Sequence, residues 1–163
     1  MKPSAAEPLE IERKFLLRSE AWREAVREPG RRLTQGYLCS DALKSVRVRV
    51  VGEDATITVK GSRQGITRIE LQYPIPVPDA LRMLELCAPP LIDKTRHIAW
   101  HDGMKWEVDI FHGENAGLVM AEVELESEDQ PVNLPEWVGE EVSLDPRYYN
   151  SCLARQPFST WPR

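Results

Sequence analysis

Pairs of charged residues two positions apart recur along this chain, and their types and spacing could support chemistry. The first pair lies in LEIERKFLL, residues 9–17, where Glu10, Glu12 and Lys14 occupy alternate positions. Paired carboxylates supply the hard oxygen ligands that Mg²⁺ and Mn²⁺ prefer. Lysine and arginine bind phosphate oxygens, and arginine can bind two oxygens at once. The pattern therefore indicates either a site for a metal ion and an anion, or the solvated face of a sheet.

Later segments repeat this spacing, and the sign of the charge changes from segment to segment. The middle segments are almost purely cationic, whereas the first, seventh and eighth are mainly acidic. The residues are Arg47 and Arg49; Lys60; Arg68 and Glu70; Lys94 and Arg96; Glu107 and Asp109; and Glu122 and Glu124. A face that only needs to be soluble has no reason to separate the signs in this way.

Alternation with period two predicts that strands position these residues. The eight predicted strands span residues 9–17, 31–40, 44–52, 55–61, 66–75, 91–100, 104–113 and 117–127. Helices are predicted near 19–28 with Ser19 as N-cap, near 78–88, and near 146–155, followed by a frayed tail over 156–163. Asp102-Gly103 between two alternating segments predicts a hairpin. We expect one α+β domain over residues 1–163, with a core of about 8–155 and a sheet that closes into a barrel.

The orientation of the charged face decides between the two interpretations. Residues i and i+2 on a strand lie roughly 6.5–7 Å apart. Two like charges at that distance repel by about 0.6 kcal/mol in water, and by about 2.4 kcal/mol at an effective dielectric constant near 20. Exposed pairs therefore cost little, whereas pairs inside a barrel need opposite charges or bound ions. The spacing alone leaves both orientations open.

Composition narrows the class of protein. The 163 residues carry a formal net charge of −5, which argues against general nucleic-acid binding. No apolar segment approaches the roughly 20 residues of a membrane span, and the N-terminus lacks the apolar segment of a signal peptide. Cys39, Cys87 and Cys152 show no metal-ligand spacing, so we expect reduced thiols in a cytoplasmic protein. Whether the chain is a monomer or a homodimer is left open.

The ordered set of motifs resembles the CYTH, or triphosphate tunnel metalloenzyme, superfamily. After E-x-E-x-K at 10–14, the match continues along essentially the whole chain. The further motifs are QGYL at 35–38, RVR at 47–49, TVK at 58–60, DKTR at 93–96, EVD at 107–109, EVE at 122–124 and GEEV at 139–142. The resemblance implies an eight-stranded antiparallel β-barrel, or tunnel, with a charged interior and a few flanking helices. It also implies Mg²⁺ or Mn²⁺ and a substrate that contains a triphosphate group.

Site roles follow from the same resemblance, residue by residue. The implied metal ligands are Glu10, Glu12, Glu122, Glu124 and Asp109. The implied phosphate-binding residues are Lys14, Arg47, Arg49, Lys60, Arg68 and Arg96. The implied catalytic residues are Lys94, Tyr37 and Glu70. Small bacterial members of the superfamily are inorganic triphosphatases, so we expect hydrolysis of inorganic triphosphate to diphosphate and phosphate.

Two departures from the family pattern leave alternatives open. Gln72 stands where a second acid is usual after Glu70, which puts a second metal site in doubt. The terminal segment RYYNS, residues 147–151, carries fewer basic residues than is common in the family. The alternatives are cyclisation of ATP by a class IV-type adenylate cyclase, hydrolysis of thiamine or nucleoside triphosphates, and polyphosphate binding without catalysis.

Overall fold

The computed structural model describes residues 7–163 and contains nine strands within them. The strands are β1 Leu9–Leu17, β2 Arg31–Ser40, β3 Lys44–Val51, β4 Asp54–Gly61, β5 Thr67–Pro74, β6 Ile92–His101, β7 Met104–Phe111, β8 Val119–Glu124 and β9 Val138–Glu141. The α-helices over the same residues are α1 Val77–Glu85 and α2 Asn150–Leu153. Short 3₁₀ helices span Glu20–Ala25, Gly113–Asn115, Pro146–Tyr148 and Phe158–Thr160. None of the helices in this part of the chain has the length and apolarity needed to cross a membrane.

Strand β1 closes the sheet into a barrel. The antiparallel order is β5-β4-β3-β2-β6-β7-β8-β1, and β1 also pairs with β5. On one edge Glu12 faces Glu124 of β8; on the other edge Glu10 faces Arg68 of β5. The predicted eight-stranded antiparallel barrel is therefore confirmed. The Asp102-Gly103 hairpin is also present, with φ of 50° and 74° at its two turn residues.

The ninth strand was not predicted from the sequence. β9 pairs with the second half of β1, through Phe15 and Glu141 and through Leu17 and Val138. It continues the edge of β1 beyond the point where β5 ends its pairing. Four residues, Val-Gly-Glu-Glu, are too few for an alternating pattern to identify a strand.

The barrel reverses the usual arrangement, because its apolar residues face outward and are covered there. Trp106 is fully buried and packs against Phe15 and Trp137, with ring centroids 5.7 and 5.5 Å apart. The 3₁₀ helix at 20–25 adds Trp22 to this cluster. On β3 and β4, α1 covers Val48 and Ala55 with Ala80 and Leu84. The opposite side of each strand is left for charged residues.

One end of the barrel interior is apolar. Four apolar residues lie on the same side of their strands as the charged residues, each two positions away from one of them. They are Leu16, Met120, Phe111 and Ile92, next to Lys14, Glu122, Asp109 and Lys94 respectively. Ile92, Phe111 and Met120 form a buried cluster with Leu153 of α2, and Leu16 packs against it. We call this cluster the apolar plug. It ends the charged part of the interior.

The predicted helices differ from the structure in their type and length. The segment at 19–28 is a 3₁₀ helix over Glu20–Ala25, and Ser19 is its N-cap, as predicted. The segment at 146–155 is divided, because Tyr149 has an extended backbone with φ −72° and ψ 135°. The tail expected to be frayed contains the 3₁₀ helix Phe158–Thr160. Trp161 packs there against Tyr148 and Phe158, with both centroid distances 5.1 Å.

The outward-facing core makes a testable prediction. Trp106→Ala should lower the free energy of unfolding by about 3–5 kcal/mol, because a fully buried aromatic side chain leaves a cavity. Trp100→Ala is the matched control, since that side chain is 41% exposed on the neighbouring strand. It should cost less than about 1 kcal/mol. Urea denaturation of both variants measures these changes. Equal losses of unfolding free energy would contradict the placement of the apolar core outside the barrel.

Candidate active site inside the barrel

A cavity lined almost entirely by polar and charged side chains lies inside the barrel. All six predicted phosphate-binding residues line it, together with Lys94 and Tyr37. Its cations are Lys14, Arg47, Arg49, Lys60, Arg63, Arg68, Lys94 and Arg96, and its carboxylates are Glu12 and Glu122. The eight cations outnumber the two acids of the lining, and they still exceed by two the six acids that result when Glu10, Glu70, Glu107 and Asp109, which pair with them from behind, are included. Such a cavity attracts a small, highly charged anion.

Strand β1 forms the wall on which acids and cations meet. Lys14 faces Glu122 across the β1–β8 pair, and its Nζ lies 3.1 Å from Glu122 Oε1. Burial lowers the pKa of Lys14, but the charges of Glu122 and Glu12 outweigh burial and raise it. Burial likewise raises the pKa of Glu122, and Lys14 and Arg96 bring it well below its ordinary value. Both residues are therefore ionised at neutral pH.

Glu10 is directed toward cations rather than into the cavity. Its carboxylate accepts hydrogen bonds from Lys60 Nζ at 2.9 Å and from Arg68 Nε at 3.1 Å. Burial raises the pKa of Glu10, but the hydrogen bond with Glu70 and the charges of Lys60 and Arg68 outweigh it and leave the pKa far below normal. Glu70 completes this group through its contact of 3.2 Å with Lys60 Nζ. Neither Glu10 nor Glu70 belongs to the cavity lining.

Among the buried acids Glu10, Glu12, Asp109 and Glu122, Glu12 has the most distant cation. Its nearest cation within the described residues is Arg63, whose Nη2 lies 3.7 Å from Glu12 Oε1. Burial, followed by the charges of Glu122 and Glu10, raises the pKa of Glu12 to about 7. A buried carboxylate beside two others is stabilised by any cation that enters the cavity.

Lys94 lies at the bottom of the cavity, against the apolar plug. It is 1% exposed, and its Nζ lies 5.3 Å from the ring centroid of Phe111. Nζ donates hydrogen bonds to Asp109 Oδ2 at 2.7 Å and to Asn150 Oδ1 at 2.9 Å. Burial lowers the pKa of Lys94 to about 7, although the charge of Asp109 opposes this.

Asp109 holds two cations in place. In addition to Lys94, it binds Arg96 through two hydrogen bonds of 2.7 and 2.8 Å. Arg96 also pairs with Glu107. Burial raises the pKa of Asp109, but Arg96 and Lys94 outweigh it and lower the pKa to about 2. Asp109 is fully buried behind these cations and does not line the cavity.

Arginines on β3 face the cavity from the opposite wall. Arg47 donates one hydrogen bond, from Nη2 to Thr58 Oγ1 at 3.2 Å, and its buried Nε has no partner. Arg49 Nε donates to Gln35 Oε1 at 2.8 Å. Burial raises the pKa of Tyr37, so its hydroxyl stays protonated and is available as a donor. These groups present donors to the space that an anion would fill.

The chemistry of the donor set on β1 and β8 fits a hard divalent cation. Glu12 and Glu124 are direct cross-strand partners, and Glu10 and Glu122 are their neighbours on the same two strands. Their oxygens are the ligands that Mg²⁺ and Mn²⁺ take. Glu124 is exposed at the end of β8, whereas the other three acids are largely buried. Over residues 7–163 no three His, Cys, Asp or Glu side chains converge closely enough to hold a metal in this arrangement.

Five residues of the site were missed from the sequence. Arg63 lies in the loop between β4 and β5, outside any alternating pattern, and Tyr149, Asn150 and Ser151 lie on the terminal segment. Ser45 lies at the start of β3 and lines the cavity as well. The signal available was a single arginine in a hairpin loop, which is too common to identify a site. Gln72, the departure after Glu70, accepts a hydrogen bond from Thr58 at 3.0 Å.

Comparison with known proteins identifies the family. The model of the CYTH domain matches residues 8–149. The inorganic triphosphatase of Acetivibrio thermocellus is 45% identical over 153 residues, which cover 93% of this chain and 97% of the relative. The inorganic triphosphatase of Nitrosomonas europaea is 37% identical over 150 residues, or 89% of this chain and 96% of the relative.

Solved structures agree with this result. The crystal structure of the inorganic triphosphatase NE1496 superposes with a TM-score of 0.60 at 33% identity, over 89% of this chain and 93% of that chain. A second structure, described as a Hippeastrum putative adenylyl cyclase with a dominant triphosphatase activity, is 12% identical with a TM-score of 0.56. It covers 72% of this chain and 80% of that chain, and it supports the fold alone. Together with the charged interior of the barrel, these matches show that the chain belongs to the CYTH domain family.

Proposed function

We propose that this chain is a divalent-metal-dependent inorganic triphosphatase, a hydrolase that cleaves a phosphoanhydride bond. The observation that carries the proposal is the cavity lining, which brings together eight cations and two carboxylates. The similarity to two inorganic triphosphatases over nearly their whole length favours this reaction over cyclisation of ATP or binding alone.

Binding of the phosphate chain is the task of the cations. Phosphate oxygens accept charge-assisted hydrogen bonds from lysine and arginine, and these are about twice as strong as neutral ones. Arg47 brings a buried Nε without a partner, so a phosphate oxygen at that point satisfies a donor that otherwise costs free energy. Lys14, Arg49, Lys60, Arg68 and Arg96 neutralise the remaining charge around it.

Mg²⁺ or Mn²⁺ would be held by Glu10, Glu12, Glu122 and Glu124, with Asp109 as a further carboxylate. When bound, the ion acts as a Lewis acid on the phosphate oxygens and lowers the pKa of a bound water. Glu12 is the central ligand of this set, because it lines the cavity and lacks a close cation. Glu10 and Asp109 already bind cations of the chain, and they also hold those cations in position.

Lys94 and Tyr37 are the groups we assign to proton handling. A lysine with a pKa near 7 can hold a proton at Nζ and give it up near neutral pH, which suits general acid–base work. Tyr37 keeps its proton and orients an oxygen as a donor. Glu70 lies outside the cavity beside Lys60, so we assign it to positioning that lysine.

The apolar plug supports hydrolysis in a confined site. Because Phe111 of the plug lies beside Lys94, that end of the charged interior is bounded by apolar side chains. Electrostatic interactions are stronger where bulk water is excluded. We place the enzyme in the cytoplasm, which agrees with free thiols at Cys39, Cys87 and Cys152.

Glu12→Gln tests the metal-binding role. It should lower kcat/KM for inorganic triphosphate by at least about 100-fold, since a carboxylate ligand is replaced by a neutral amide. The melting temperature should stay equal or rise, because the substitution removes one of several buried carboxylates that lie close together. Glu53→Gln, at an exposed turn position, is the control and should retain wild-type activity. A Glu12→Gln enzyme with normal phosphate release would refute the assignment.

Removal of the metal is a second test. EDTA should abolish phosphate release from triphosphate, and Mg²⁺ or Mn²⁺ should restore it. The far-ultraviolet circular dichroism should not change, because the buried acids Glu10, Asp109 and Glu122 are paired with cations of the chain itself. Phosphate release should be accompanied by diphosphate, and ATP should yield no cyclic AMP. Full activity in EDTA, or cyclic AMP as the product, would contradict the proposed reaction.

A further inference from the structure

Arg63 reaches the cavity from a loop rather than from a strand. The loop joins β4 to β5, and it is held by two backbone hydrogen bonds between Gln64 and Thr67, of 2.8 and 3.1 Å. Thr67 Oγ1 also donates to Glu128 at 2.6 Å. Although it lies in a loop, Arg63 is only 14% exposed, and its side chain lines the cavity. The loop is thus an ordered support for a buried guanidinium.

The guanidinium of Arg63 has unused hydrogen-bonding capacity. Its Nε is buried and has no hydrogen-bond partner. Its contact with Glu12 is 3.7 Å, longer than a hydrogen bond, whereas the neighbouring acids Glu122, Glu10 and Asp109 bind their cations at 2.7–3.1 Å. A buried arginine whose only role was to neutralise Glu12 would form a closer pair. Its geometry is that of a donor whose acceptor is an anion in the cavity.

Tyr149 fixes the position of this guanidinium. The Cζ atom of Arg63 lies 4.2 Å from the centroid of the Tyr149 ring, which is stacking distance for a cation and an aromatic face. Tyr149 is fixed in turn, because its hydroxyl donates to the backbone oxygen of Ser143 at 3.2 Å. The contact links the β4–β5 loop to the terminal segment, so two parts of the chain 86 positions apart determine one side chain.

Arg63 stands where the cavity meets a second depression, which we call the outer groove. The outer groove shares five lining residues with the cavity, namely Ser45, Arg63, Arg68, Tyr149 and Ser151. Its remaining cations are Lys44 and Arg155. Arg63 therefore lies at the opening of the cavity, whereas Lys94 lies at the bottom.

We propose that Arg63 is a further phosphate-binding residue that holds the end of the triphosphate nearest the outer groove, and that Tyr149 is its positioning residue. This inference rests on the proposed function, because it assumes that the anion is a triphosphate. It assigns a role to a loop residue that no strand pattern contains. It also gives the terminal segment a part in the binding of substrate.

Arg63→Ala is the main test, with two readouts. The kcat/KM for inorganic triphosphate should fall about 10- to 100-fold, the effect of losing one charge-assisted contact. The Kd for triphosphate, measured by calorimetry in EDTA, should rise by a similar factor without any metal present. Arg63→Lys should recover part of the loss, since it keeps the charge but lacks the planar fork. Arg155→Ala removes the same charge from the outer groove alone and should change both values less than twofold.

The positioning role of Tyr149 is tested by substituting it alone and together with Arg63. Tyr149→Leu should raise KM, and Tyr149→Phe should restore most of the loss because the aromatic face is retained. The double variant Arg63→Ala/Tyr149→Leu should be no more than about twofold worse than Arg63→Ala, since Tyr149 acts through Arg63. If Tyr149 only stabilised the fold, the losses of the two single variants would add in the double variant, and the positioning role of Tyr149 would be wrong.

The outcomes separate this inference from the proposed function. If the wild-type chain hydrolyses triphosphate and Arg63→Ala matches Arg155→Ala in both kcat/KM and Kd, the inference about Arg63 is wrong. If the wild-type chain binds triphosphate without hydrolysis and Arg63→Ala weakens that binding, the proposed reaction fails and the assignment of Arg63 stands. Melting temperatures of all variants identify any loss that comes from unfolding.

Discussion

The rest of the structure depends on the need to balance charges that a closed barrel removes from water. An isolated buried charge costs several kcal/mol, so each lysine, arginine and acid inside must find a partner. The pairs Lys14–Glu122, Lys60–Glu10 and Lys94–Asp109 meet this need across neighbouring or nearby strands. The balance is incomplete at Glu12 and at the Nε atoms of Arg47 and Arg63. At these points an entering cation or anion gains the most binding free energy, because it supplies the missing partner.

Placing charge inside moves the apolar core outside. A barrel filled with apolar side chains needs no cover, whereas this one needs covering segments over its outer face. Trp22, Trp137 and α1 provide that cover. In the apolar plug, apolar side chains of inward parity pack together with Leu153 of the terminal segment, next to Lys94. The apolar residues that stabilise the fold and the charged residues of the site thus lie on opposite sides of the same strands.

Much of this arrangement could be predicted from residue types and spacing. Alternation identified eight strands, and the separation of signs marked one face of the sheet, but only the resemblance to the CYTH superfamily implied that this face points inward. β9 could not be found, because Val-Gly-Glu-Glu is short and its pairing depends on the exposed edge of β1. Arg63 and Asn150 could not be found either, since a loop and a helix terminus carry no period. The ion pairs of Glu10 and Asp109 depend on cross-strand register, which a sequence pattern does not give.

The threefold pairing of β1 has a consequence for how the protein is made. This strand precedes its partners along the chain, because β5, β8 and β9 lie between residues 67 and 141. Contacts of such long sequence separation form late, because the intervening chain must first be ordered. Hairpins such as β3–β4 and β6–β7 have no such delay. The strand that carries Glu10, Glu12 and Lys14 can therefore complete its pairing only after residues 67–141 have been synthesised, so the cavity wall that it forms closes after those hairpins.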